Sequence, residues 1–194
     1  MMISLAAALA AAIASSPCHA APVPGAASAE LRDDSRARVP ALAEELKSCD
    51  ADAKGLLQSA AQLSGFDIWQ RARAQRPGQP ADADFINEAR RFSYYFRDFS
   101  QRFQQLELKL NKLSERDLPK NTELLPPAER LARHAADLRA QANWLETQAR
   151  DGAPDLRAAG FSAEASEFQQ TALATAAFAR RLDAHAVEIL QKLR

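Results

Sequence analysis

Residues 85–113 read FINEARRFSYYFRDFSQRFQQLELKLNKL, with large apolar residues at alternating steps of four and three. This spacing places the apolar side chains on one side of an α-helix, and it persists over about four heptads. Phe dominates that side, which is therefore too apolar to face water and must be covered by other helices. The apolar positions are Phe85, Ala89, Phe92, Phe96, Phe99, Phe103, Leu106, Leu110 and Leu113.

The same spacing recurs three more times along the chain and predicts three further helices. Each has a single apolar stripe, so the four helices must bury their stripes against one another. We therefore predict an all-α fold, an antiparallel up-down-up-down four-helix bundle with long, coiled-coil-like helices. The further stripes consist of Leu42, Leu46, Cys49, Ala53, Leu56, Ala60 and Leu63; of Leu131, Ala135, Leu138, Ala142, Leu145 and Ala149; and of Phe168, Ala172, Thr175, Ala179, Leu182, Ala186, Ile189 and Leu193.

Residues that start or stop helices separate the four stripes. Pro40 suits a first helical turn, Gly65 an end, and Asp82 and Ser162 are good N-caps for the second and fourth helices. Pro126-Pro127 begins the third helix, and Asp151-Gly152-Ala153-Pro154 is expected to end it. The short links favour antiparallel neighbours. With these limits the second and fourth helices are about 50 Å long and the others about 37 Å. We expect segment 66–76 to cover the surplus at one end.

The N-terminal residues 1–14 form an uncharged apolar run that is typical of a signal-peptide core. This run is shorter than the roughly 20 residues that span a bilayer. Small residues before Ala21 predict cleavage after Ala20. We thus divide the chain into a signal peptide (1–20), a flexible linker (21–38) and the bundle (39–194), with a helical extension over 30–38 as an alternative. The predicted location is periplasmic or secreted; the alternative is an uncleaved N-terminal anchor.

Composition excludes several classes of partner. The 25 Lys and Arg residues balance 25 Asp and Glu residues, which argues against nucleic acid or an anionic membrane as partner. After cleavage we expect no membrane span. The mature chain then keeps one cysteine, Cys49, so no internal disulfide framework is expected. Cys49 lies in an apolar stripe and is predicted to be buried; an intermolecular disulfide, which would give a homodimer, is left open.

Catalytic and metal-binding patterns are missing from the sequence. His134 and His185, placed in register on antiparallel helices, lie about 9 Å apart along the axis, too far to share one small metal ion. There is neither a haem-attachment motif nor a Glu-x-x-His pair. We therefore expect no cofactor, no metal and no enzymatic activity. An enzyme would require several buried acids that meet in a pocket.

The best candidate for a binding surface is the Arg-rich segment after Gly65. If this segment does not pack on the bundle, it exposes an apolar patch suited to a protein partner. The candidate residues are Phe66, Ile68, Trp69, Arg71, Arg73, Arg76 and, in support, Tyr94. Tyr94 and Tyr95 also adjoin Arg90, Arg91 and Arg97, and such an alternation of aromatic residues and arginines can stack bases or bind acidic partners. The zero net charge argues against nucleic acid, and we expect Tyr95 to widen the buried face and Tyr94 to be half exposed.

These observations predict a non-enzymatic exported bundle that acts by binding a protein partner in the cell envelope. Adaptor, chaperone-like, inhibitor and sensor-type proteins all fit that description. The alternative is a bundle that holds a small molecule among the rings from Phe92 to Phe103.

Overall fold

The computed structural model describes residues 26–75 and 82–194, with side chains from Arg38 onward, and these residues form helices without any strand. The predicted all-helical class is thus confirmed for this part of the chain. The elements are α1 (Ala26–Ser64), α2 (Ile68–Ala74), α3 (Ala83–Ser114), a 3₁₀ turn (Thr122–Leu124), α4 (Leu125–Ala158) and α5 (Ser162–Leu193). The predicted signal peptide lies outside the described residues.

The core of the molecule consists of the four predicted stripes, which lie on α1, α3, α4 and α5. Every residue of the four stripes is buried, and the nine residues of the α3 stripe are at most 1% exposed. The prediction that four long helices cover one another's apolar sides is therefore confirmed.

The helices contact one another in a particular arrangement. α1 packs on α3 and α4, and α5 packs on the same two helices. α3 and α4 pack on α1 and α5 rather than on each other, although they follow one another in the chain. The predicted contact between these two consecutive helices was wrong. The link over residues 115–121, at about 3.3 Å per extended residue, is long enough to cross the end of the bundle.

Two interfaces of α5 differ in the order of their polar contacts. Between α4 and α5, a residue earlier in α4 contacts a residue later in α5: Glu129 pairs with Arg194, and Arg139 pairs with Asp183. Between α3 and α5, residues earlier in α3 contact residues earlier in α5. The latter contacts are Ser93 with Glu167, Ser100 with Thr175, Glu107 with Arg181, and Ser114 with His185.

α4 does not end at Asp151-Gly152-Ala153-Pro154, as we had expected, but continues to Ala158 with Pro154 inside the helix. An internal proline removes one backbone hydrogen bond and costs about 3 kcal/mol. The burial of Gly152, Ala153 and Leu156 against the rest of the molecule offsets that cost. α4 has 34 residues and α3 has 32, so the predicted difference in length was wrong.

The true end of α4 is a Schellman motif. Gly160 has a φ of 91°, a conformation that glycine adopts without strain. The amide of Phe161 donates to the carbonyl of Leu156 at 2.8 Å, and the amide of Gly160 donates to that of Arg157 at 3.0 Å. Phe161 then packs on Phe85, with ring centroids 4.9 Å apart.

Other helix limits agree with the sequence signals to different degrees. α1 ends directly before Gly65, and the Asp82 carboxylate caps α3 by accepting from the amide of Asp84 at 3.2 Å. Ser162 is the first residue of α5 rather than its N-cap. α1 begins at Ala26, so Pro40 is internal, and the helix includes most of the segment 21–38 predicted as a linker. Ala, Arg and Glu in that segment favour helix.

Within the described residues, no helix combines the length and the apolarity that crossing a membrane requires.

Candidate functional site

The predicted binding segment forms the short helix α2, and its apolar residues face inward. Ile68 is 0% exposed and Trp69 is 7% exposed, because α2 packs on α4 and α3. The Trp69 ring contacts Phe92 and Phe168 at centroid distances of 5.7 and 6.0 Å. The expectation that Ile68 and Trp69 form an exposed patch was wrong, since both belong to the core.

Gly152 of α4 makes room for Trp69. A Cβ placed on Gly152 would lie within 3.1 Å of three carbons of the indole ring. Glycine in a helix interior costs about 1 kcal/mol relative to alanine, so its presence here has a packing reason. In the sequence analysis Gly152 belongs to the stretch that was expected to end the third helix, so this contact was not predicted.

Two arginines of α2 are engaged within the chain. The Arg71 guanidinium binds Glu88 at 2.6 Å and Asp82 at 3.1 Å, and the hydrogen bond to Glu88 raises the pKa of Arg71. Arg73 Nε lies 2.8 Å from Asp155 Oδ2 of α4. These ion pairs fasten α2 to α3 and α4. Both arginines were predicted to bind a partner, but each already has a carboxylate within this chain.

Arg76, the remaining arginine of the predicted site, lies outside the described residues.

Phe66 and Tyr94 do reach the surface. Together with Tyr95 they form an aromatic group that continues the aromatic core outward. The half-buried ring of Phe66 packs on Phe92 at 5.6 Å and on Tyr95 at 6.0 Å. Tyr94 is 71% exposed and Tyr95 is 47% exposed, and the two rings meet edge to face at 5.6 Å. Tyr95 is therefore more exposed than we expected.

Arg90 and Arg91 flank this aromatic group and are exposed, and neither forms an ion pair within the described residues. In an α-helix, positions four apart are neighbours, so Arg90 adjoins Tyr94 and Arg91 adjoins Tyr95. We call Phe66, Arg90, Arg91, Tyr94 and Tyr95 the Tyr–Arg surface. Most other described arginines are paired with a carboxylate, namely Arg71, Arg73, Arg97, Arg102, Arg116, Arg130, Arg139, Arg150, Arg180, Arg181 and Arg194.

A second polar group lies between α3 and α5. Glu107 is 6% exposed and accepts a hydrogen bond from Arg181 at 2.9 Å, with His185 Nε2 at 3.7 Å. Ser114 Oγ lies 3.2 Å from His185 Nδ1 but donates to the carbonyl of Asn111 at 2.9 Å. Since Ser114 is buried and bonded to its own helix, this group joins α3 to α5 and does not present a nucleophile.

The two histidines are held by different helices. His134 Nδ1 lies 2.8 Å from Asp50 Oδ1 of α1, whereas His185 faces α3. Both are partly buried at the edge of the core, as predicted. In the part of the chain that the structure describes, no group of three or more His, Cys, Asp or Glu side chains could hold a metal ion.

Cys49 is 2% exposed, which confirms the prediction that it is buried. Burial, the largest cause, raises the pKa of its thiol from 9.0 to about 11, although Lys109 acts in the opposite direction. A protonated, buried thiol is a poor nucleophile. This position therefore disfavours a disulfide between two copies of the chain.

Comparison of the chain with protein-family models, with curated proteins and with solved structures finds no match. The candidate site thus has to be judged by its own chemistry. The Tyr–Arg surface offers two exposed phenol rings and two guanidinium groups without a carboxylate partner. It can make apolar contacts and charge-assisted hydrogen bonds.

Proposed function

We propose that this protein is an exported, non-enzymatic helix bundle that binds a protein partner in the cell envelope through the Tyr–Arg surface. The observation that carries the proposal is the exposed pair Tyr94–Tyr95 beside Arg90 and Arg91, neither of which forms an ion pair among the described side chains. Tyr and Arg are the residues most enriched, together with Trp, among those that dominate the energy of protein interfaces. Isolated exposed apolar residues are ordinary, whereas a contiguous group of this composition is typical of a binding surface.

Rigid support favours this surface over the other exposed apolar residues. Tyr94 and Tyr95 project from the middle of α3, and the neighbouring stripe residues Phe92 and Phe96 are fully buried. Tyr95 is further held by the Phe66 ring. A side chain that is already ordered loses less conformational entropy when a partner binds, so more of the contact energy appears as affinity.

The topology that we propose is up-down-up-down, with long helices packed as in a coiled coil. Reversed contact order between α4 and α5 and preserved order between α3 and α5 support it. Spin labels at the exposed residues Leu108 and Leu173 would test the α3–α5 part. With Glu107 opposite Arg181, parallel helices place the two residues about 13 Å apart along the axis, whereas helices that ran in opposite directions over the same span would place them about 7 Å apart.

Export is proposed from the apolar run over residues 1–14. The mass of the protein recovered from the periplasm or medium should correspond to a chain that begins at Ala21. Recovery of the full-length chain from the membrane fraction would instead support an uncleaved anchor.

The binding proposal is tested by photo-crosslinking in living cells. A photoreactive amino acid at Tyr94 should capture one protein partner, and the same amino acid at Leu173, which is 58% exposed on α5, should not. In a second experiment the photoreactive amino acid replaces Asn87, two helical turns before Tyr94. There the double substitution Y94A/Y95A should abolish capture and leave the helical circular-dichroism signal unchanged. Equal capture from positions 94 and 173 would contradict the proposal.

The alternative, a small molecule among the Phe rings, has less support. The rings of Phe92 and Phe96 lie 5.3 Å apart, and those of Phe99 and Phe103 lie 5.5 Å apart, so they fill the core with contacts to one another. The native mass and absorbance of protein purified from its own envelope distinguish the two functions. A bound chromophore or excess mass would favour the alternative.

A further inference from the structure

We infer that the partner presents an acidic segment of polypeptide, whose carboxylates bind Arg90 and Arg91 while an apolar side chain rests on Tyr94. The inference rests on the proposed function and specifies the chemistry of its partner.

The first argument is that two acids in this part of the molecule, Glu88 of α3 and Glu167 of α5, are engaged with other groups. Glu88 binds Arg71 and also accepts from the amide of Asp67 at 3.1 Å. Glu167 binds Arg97 and accepts from Ser93, and the hydrogen bond from Arg97 lowers the pKa of Glu167. Neither acid binds Arg90 or Arg91, and no other carboxylate among the described residues does, so both charges are open to an external anion.

The second argument is the arrangement of the cations and rings. Arg90 precedes Tyr94 by one helical turn, and Arg91 precedes Tyr95 in the same way. Because consecutive positions of a helix point about 100° apart, Arg90 and Arg91 carry their charges on two sides of α3, each one turn before one of two rings that are in contact with each other. An extended peptide could place carboxylates on the guanidinium groups, which bind carboxylates in a bidentate manner, and an apolar side chain on the exposed ring of Tyr94.

The third argument favours a peptide over a nucleic acid or an anionic membrane as the partner. Phosphate backbones and charged bilayers are bound by extended tracts of positive charge. Here the cationic part is two residues long. The chain as a whole has a formal net charge of zero. A short acidic segment of polypeptide needs no longer tract of positive charge than these two residues.

The test is a titration of the ¹⁵N-labelled chain with a short synthetic peptide of Glu and Phe residues. A second peptide has every Glu replaced by Gln. The acidic peptide should shift the amide signals of residues 90–95, and the Gln peptide should bind about tenfold more weakly. R90Q/R91Q should weaken binding of the acidic peptide to a similar extent. The matched control is R133Q, because Arg133 is also exposed and has no carboxylate partner among the described residues but lies on α4; it should bind like the wild type.

Equal binding of the two peptides, no binding of either, or no effect of R90Q/R91Q would overturn the inference. Tighter, arginine-dependent binding of single-stranded DNA or of phosphatidylglycerol vesicles would also overturn it, as would an arginine-dependent doubling of the native mass, which assigns the surface to a second copy. Partner capture that depends on Tyr94 and Tyr95 but not on Arg90 and Arg91 would leave the proposed function intact and refute only the acidic segment. Capture that is independent of the tyrosines would refute the proposed function itself.

Discussion

Trp69 of α2 lies directly on the backbone of α4 at Gly152, so close that even a methyl group on Gly152 would overlap the indole. The ring is also enclosed by Phe92 and Phe168. This one contact explains why α2 packs on the bundle and why its apolar residues do not form a binding patch.

Substitution of Gly152 by Ala should destabilise the protein by about 1–2 kcal/mol. Overpacking costs about 1–3 kcal/mol, and the higher helix propensity of Ala recovers at most about 1 kcal/mol. Urea unfolding gives the stability, and Trp69 fluorescence in a W144F background reports displacement of the ring. The matched control is G55A in α1, where the nearest atom is Nη2, at the far end of the long Arg102 side chain, at 3.3 Å. G55A should stabilise the protein by up to about 1 kcal/mol. Equal effects of both substitutions would contradict the packing account.

Phe92 is the centre of the aromatic core, with ring contacts to Phe66, Trp69, Phe96 and Phe168. F92A should cost about 3–5 kcal/mol because it leaves a cavity at a fully buried position. Y94A, two residues away, should change the stability by less than about 0.5 kcal/mol, since Tyr94 is largely exposed. Thermal unfolding of the two variants measures the difference. A large loss of stability in Y94A would mean that Tyr94 is structural and would remove it from the binding surface.

Cys49 should make stability depend on pH in the alkaline range. Its folded pKa of about 11 is above the ordinary value of 9.0, so the folded chain holds the thiol proton more tightly than the unfolded chain. The resulting stabilisation is complete below about pH 9 and is lost as the pH rises towards 11. Urea unfolding at several pH values measures this decline. Because other groups titrate in the same range, C49A is the reference, and its stability should fall less steeply. Parallel curves for the two proteins would refute the effect.

Arg181 should stabilise the protein by compensating the charge of Glu107. R181A leaves Glu107, which is 6% exposed, without its closest cation and should cost about 1–2 kcal/mol, less than a fully buried pair because Arg181 is half exposed. The double variant R181A/E107Q should recover part of the loss, as measured in a double-mutant cycle. The control is R150A, whose pair with Asp151 is exposed on both sides and should contribute less than about 0.5 kcal/mol. A coupling free energy near zero between Arg181 and Glu107 would contradict the stabilising role of this pair.

The candidate site was only partly predictable from the sequence. Tyr94 and Phe66 were identified and do reach the surface, whereas Ile68 and Trp69 proved to be core residues. Exposure of a short apolar segment depends on whether another part of the chain accommodates it. Likewise, Arg90 and Arg91 could be recognised as neighbours of the tyrosines, but only the structure shows that Arg71 and Arg97 occupy the nearby carboxylates.

The sequence by itself determined the four buried stripes and therefore the helical class. That information is local, because helix geometry alone decides which residues three and four apart share a side. The tertiary structure decided that α4 continues through Pro154, that α3 and α4 lie apart, and that α2 covers the aromatic end of the core. These features depend on contacts between residues far apart in the chain, such as Trp69 with Gly152. Their energies are large enough to override local signals such as an internal proline.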